Sequence, residues 1–85
     1  MKELLKEYRK VRKIRDEILT CDNYGRIKRL ILSYPHVQRV SFRSSSNDIR
    51  YAEVEYYSGY IFREYGADAF KTLGIQAYFD FLKRL

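Results

Sequence analysis

Between Glu3 and Thr20 the apolar residues return every three or four positions. Leu4, Tyr8, Val11, Ile18 and Leu19 gather on one side at about 100° per residue, with Leu5 and Ile14 on the margins. No glycine or proline interrupts the stretch, and it predicts a helix over residues 3–20. "TCDNYG", residues 20–25, reads as a turn in which Asp22 or Asn23 can cap a second helix. That helix runs from Tyr24 to Ser33, turns Tyr24, Ile27, Leu30, Ile31 and Tyr34 inward, and is stopped by Pro35.

From His36 the period becomes two. "VQRVSFR" alternates, "SSSND" is a five-residue loop, "IRYAEVEYY" alternates again, and Ser58-Gly59 reads as a two-residue hairpin turn before "YIFREY". Pairing Arg43 with Ile49 and Tyr57 with Tyr60 puts Val40, Phe42, Ala52, Val54, Tyr56, Ile61 and Tyr65 on one face, with Arg63 as the polar intruder on the core side. "GADAFKTLGIQAYFDFLKRL" closes the chain as a third helix. Its stripe is Phe70, Leu73, Ala77, Tyr78, Phe81, Leu82 and Leu85, with Gly74 allowing close packing. Asp68 stands early in it and Lys83 and Arg84 late, each sign where the helix dipole favours it. The expected architecture is one α+β domain over residues 1–85, in the order α-α-β-β-β-α, with a three-stranded antiparallel sheet packed on helices. A three-stranded sheet is about 15 Å wide and each packed helix needs about 8 to 10 Å, so three helices cannot lie side by side on it.

Composition narrows the class. With 46% hydrophobic and 16% aromatic residues the chain has the apolar content to fold, and it holds no low-complexity tract. It contains no run near the roughly 18 apolar residues of a membrane span, and its start reads as a charged amphipathic helix rather than a signal peptide. A lone cysteine, Cys21, excludes an internal disulfide framework and suits a reducing compartment, so a cytoplasmic protein without membrane contact is expected.

Charge adds a polarity along the chain. Residues 1–50 hold thirteen Lys or Arg against six Asp or Glu, whereas residues 51–85 hold four against five, so the net +6 belongs to the first half. Within the first helix Lys2, Lys6, Arg9, Lys10 and Lys13 fall inside an arc of about 100° opposite the apolar stripe, with Glu17 the one acid among them. Arg26, Lys28 and Arg29 of the second helix extend this basic surface. Such a ridge suits the phosphates of a nucleic-acid backbone, DNA or RNA. Ordinary solvated helices are also rich in Lys and Arg, and Glu3, Glu7, Asp16 and Glu17 stand at pairing distance along the helix.

The sheet offers a second surface. Tyr51, Tyr57, Tyr60 and Phe62 are expected to face away from the core beside Arg39 and Arg43, with Glu53, Glu55 and Glu64 on the same face and Arg39 opposite Glu53. Aromatics with arginines can stack unpaired bases, but this mixture of rings and paired charges suits a protein contact better, including a homodimer through that face.

Over residues 24–85 the order helix, three strands, helix resembles in topology the double-stranded-RNA-binding domain. It departs from that family at "GADAFKTL", where Asp68 and a single Lys71 stand in place of a lysine cluster. The helical hairpin ahead of an antiparallel sheet resembles the small basic messenger-cleaving toxins, without their leading strand.

Catalytic signals are thin. His36 follows "YP" at a helix-to-strand junction, where a general base could act with Arg39, Arg43 and a tyrosine on a phosphodiester, as in a small metal-independent ribonuclease. Cys21 lacks an activating neighbour pattern, and one His and one Cys do not make a metal-ligand set. The four glycines are scattered, so no phosphate loop or cofactor site is expected. The leading expectation is a non-enzymatic nucleic-acid-binding protein. The alternative is a protein-interaction module, an inhibitor, adaptor or regulatory subunit such as a phage or mobile-element protein, docking on an acidic or nucleic-acid-handling partner.

Overall fold

The structure, a computed structural model, describes the backbone of residues 2–45, 48–66 and 68–83, and their side chains outside residues 2–4 and 44–50. Two helices, α1 (Lys2–Thr20) and α2 (Tyr24–Leu32), precede three strands, β1 (Val37–Ser45), β2 (Asp48–Tyr56) and β3 (Ile61–Tyr65), and α3 (Ala69–Leu82) ends the order. The sheet is antiparallel with β2 in the middle. The expected fold class and element order are therefore those of the molecule.

The layers follow from the size argument. α2 packs on β1 and α3 on β2 and β3, which together cover one face of the sheet. α1 lies against α2 and α3 on their far side, away from the strands. α3 is thus the middle of the molecule, and Ala69, Phe70, Leu73, Gly74, Ala77, Tyr78 and Phe81 are all buried. A Cβ at Gly74 would stand 2.8 Å from Cδ1 of Ile18, so glycine is what lets α1 cross α3 this closely. Tyr34 ties the same crossing by donating its hydroxyl to the Gly74 carbonyl at 2.9 Å.

Local signals explain the ends of α2. The Asn23 side chain accepts from the Arg26 N–H at 3.0 Å, as a helix cap should. Its last turn closes at Ser33, two residues before Pro35. Tyr24, expected inside, is largely exposed, with its ring 5.8 Å from that of Phe70. In α1 the buried stripe is Val11, Ile14 and Ile18, and each such side chain contributes about 1.5–3 kcal/mol by leaving water. Ile14 is in the core rather than at the margin, while Leu19 and Leu5 are exposed. The phase is rotated because α1 rests in the groove between two helices and not on a flat face. The expected core residues Leu4 and Leu85 lie outside the described side chains.

The sheet register brings one correction of substance. β1 and β2 pair Val40 with Val54 and Phe42 with Ala52, two residues away from the expected alignment, which preserves the inward set. These strands reach Ser45 and Asp48, so the loop expected over 44–48 is shorter, and residues 46–47 lie outside the described ones. Between β2 and β3 the slip is a single residue, with Val54 opposite Phe62 and Glu53 opposite Arg63. The cause is the turn. Tyr56 N–H donates to the Tyr60 carbonyl and Gly59 N–H to the Tyr56 carbonyl, both at 2.9 Å, which makes a three-residue loop of Tyr57, Ser58 and Gly59. Gly59 takes φ +93°, the left-handed position that such a loop requires. One extra loop residue turns every β3 side chain over. Ile61, Arg63 and Tyr65 therefore face outward, and Phe62 and Glu64 face the helices.

Candidate nucleic-acid interface

The α1 side chains are sorted by the packing beneath them. Lys6, Arg9, Lys10, Arg12 and Lys13 are all exposed, on the half of the helix turned away from α2 and α3. Among the described residues none of these five forms an ion pair. The described acids of α1 do not neutralise them: Asp16 is held by Arg15 at 2.6 Å, and Glu7 and Glu17 form no ion pair among the described residues, while the Glu3 side chain lies outside those described. Arg15 stands off the ridge: its guanidinium lies 4.6 Å over the Tyr78 ring, and the hydrogen bond it donates to Asp16 raises its already high pKa. Lys2 is in α1, but its side chain lies outside the described ones. Arg12 belongs to the basic surface although the sequence reading left it out; its place in "RKVRK" was the available signal.

α2 supplies the neighbouring cations. Arg26 and Arg29 are exposed and line an open groove of about 670 Å³ together with Glu17, Thr20, Cys21, Asp22 and Asn23. This groove lies between the last turn of α1 and the flank of α2, and the acids Glu17 and Asp22 line it beside the two arginines. Lys28 is turned the other way, with its ammonium 5.5 Å over the Phe42 ring at the seam between α2 and β1. It is the one predicted cation of α2 that packs against the body.

The outer sheet face is built differently. Arg39 is hydrogen-bonded to Glu55, not opposite Glu53, and Arg63 donates to Glu53 at 2.6 Å. Arg63 also lies 4.6 Å over the Tyr51 ring, and the hydrogen bond to Glu53 raises its pKa. Tyr51 is 6.2 Å from Tyr65, which is 70% exposed. Arg43 is exposed on β1 and Tyr57 on the hairpin loop. Three residues assigned to this face stand elsewhere because of the turned-over β3: Phe62 and Glu64 are on the helix side, and Tyr60 stacks with Tyr56 and Phe62, each 5.8 Å from it. Ile61, Arg63 and Tyr65 take their place.

His36 is inside the protein. It is 4% exposed, its Nε2 donates to the Ala77 carbonyl at 2.9 Å, and the rings of Tyr34, Tyr56 and Phe81 surround it within 4.8–5.7 Å. Its ring joins the β1 end of the sheet to α3 and has no open path to a phosphodiester. Cys21 is half-buried against the core, and its thiol donates to the Asn23 carbonyl at 3.6 Å. Among the described residues no cluster of three His, Cys, Asp or Glu could hold a metal, and no helix is long and apolar enough to cross a membrane.

Comparison with known protein families, with characterised proteins and with solved structures found no match.

Proposed function

We propose that the protein is a small, non-enzymatic, cytoplasmic nucleic-acid-binding protein that grips the phosphate backbone with α1 and the adjoining flank of α2. One observation carries this reading: five exposed cations on the solvent half of α1 stand without an ion pair among the described residues, although acids share the helix. Unneutralised cations at helical spacing attract a polyanion, and each phosphate they neutralise releases counterions. Arg26 and Arg29, exposed on α2 beside the last turn of α1, supply the further cations.

Replacing Lys6, Arg9, Lys10 and Lys13 with Glu tests it. These side chains are exposed, so the fold is expected to persist, as far-UV circular dichroism will report, while binding disappears. Retained binding in that variant sinks the proposal.

A second reading has its own support. The exposed Ile61 and Tyr65 on the open edge strand β3, beside Tyr51, suit a protein partner or a second copy of the chain. Under that reading Ile61→Ser and Tyr65→Ser weaken the partner contact and leave nucleic-acid binding unchanged. The phosphodiester-cleaving reading draws nothing from the buried His36.

A further inference from the structure

We infer that the ligand of this basic surface is duplex DNA, entered through its major groove by α1; the inference rests on the phosphate-contact reading above and names the substrate class within it. Two independent features lead there.

The first is where the aromatic rings stand. Proteins that hold single strands set rings beside the cation track, so that unpaired bases stack while the backbone is neutralised. Here the exposed Tyr65 and the half-buried Tyr51 beside it are on the outer face of the sheet, and the layer of α2 and α3 separates them from α1. The exposed described side chains that share α1 with the cations are Leu5, Glu7, Asp16, Leu19 and Thr20, none of them aromatic, and the one ring on α1, Tyr8, is half-buried against the core. Tyr24 and Phe79 are exposed on other helices, with Phe79 edge-on against Tyr78 at 5.5 Å. A strand lying along the ridge therefore finds phosphate partners without a stacking platform. That matches a ligand whose bases are already stacked on one another.

The second is how the cations are spread around α1. At about 100° per residue the five spread over about 160° of the helix, with Arg12 on one flank of the solvent half, Lys10 on the other, and Arg9, Lys13 and Lys6 between them. A single line of phosphates would engage one flank only. Two lines with the helix between them engage both, and the walls of a nucleic-acid groove are two such lines. A helix with its side chains is about 10–12 Å across, which the B-DNA major groove, about 12 Å wide, accepts. The major groove of A-form RNA is too deep and narrow for it, and its minor groove is shallow. α1 is the outermost layer and buries only Val11, Ile14 and Ile18 over its central and C-terminal turns, so it stands clear of the body along half of its circumference. Its outward side chains are flexible cations, with little for reading bases, so weak sequence preference is expected.

Fluorescence anisotropy of the purified protein with a labelled DNA duplex, the RNA duplex of the same sequence, and each single strand tests this, with competition by a major-groove dye and a minor-groove dye on the DNA duplex. The expected result is a DNA duplex bound at least about tenfold more tightly than the other three, the scale of losing a few phosphate contacts, and released by the major-groove dye. Equal or tighter binding of RNA duplex or single strands, or release by the minor-groove dye alone, overturns the inference while the phosphate reading stands. No binding to any of the four overturns both.

Discussion

The solvent half of α1 and the outer face of the sheet are both heavily charged, and they handle charge in opposite ways. On the sheet Arg39 of β1 and Arg63 of β3 meet glutamates of β2 across the strands, Arg39 with Glu55 and Arg63 with Glu53. On α1 acids stand at the same three- and four-residue spacings, yet among the described residues Lys6, Arg9, Lys10, Arg12 and Lys13 form no ion pair, and Asp16 is taken by Arg15. One face spends its charges within the protein. The other holds a concentrated like-charged surface whose repulsion is relieved only by something from outside. A charge count over either surface misses this difference, which lies in pairing.

The largest effect expected from breaking that contrast is on the helix. Reversing Lys6, Arg9, Lys10 and Lys13 to Glu should lower nucleic-acid affinity by more than about 100-fold at low salt, as anisotropy reads it, because four phosphate contacts become repulsions. Next comes the layer that holds the two faces apart. Gly74→Ala should lower stability by about 1 kcal/mol in urea unfolding, since overpacking at the α1–α3 crossing outweighs the gain in helix propensity. Adding Ile18→Val, which removes the atom 2.8 Å from the new methyl, should make the double variant more stable than the two single losses predict.

Tyr34 gives a comparable but pH-dependent effect. Its burial raises the phenol pKa well above the ordinary value of about 10. A raised value in the folded state means that this contribution is fully present below about pH 10 and is lost as pH climbs toward the folded-state value. Tyr34→Phe should cost about 1 kcal/mol at neutral pH through the lost hydrogen bond to Gly74, and should shallow the alkaline decline measured by unfolding at pH 8 to 11. The smallest effect is reserved for the sheet. Replacing Arg39 and Arg63 with Ala should change DNA affinity by less than about twofold, because both are already paired and face away from α1.

What the sequence made legible follows the same division. Helices, strands and their order were readable because apolar period and turn residues agree, and the ridge was readable because exposed cations need only the helical phase to be placed. Three things were not. The face of β3 depended on whether the hairpin loop held two residues or three, and "YYSGY" permits both; a single residue moved Ile61, Arg63 and Tyr65 outward and Phe62 inward. That the five exposed cations of α1 form no ion pair among the described residues depended on rotamers and on the stacking of Arg15 over Tyr78, neither of which spacing reveals. His36 looked accessible from its place after Pro35, and only the packing of α3 on β2 shows it to be enclosed by rings.

The most direct test of the unpaired ridge is the salt dependence of binding to duplex DNA. Lys6, Arg9, Lys10, Lys13, Arg26 and Arg29 all contacting phosphates would give a slope of log affinity against log salt of about −5, and the four-fold charge reversal would remove most of it. A flat salt dependence, or an unchanged slope in the reversed variant, would contradict the account.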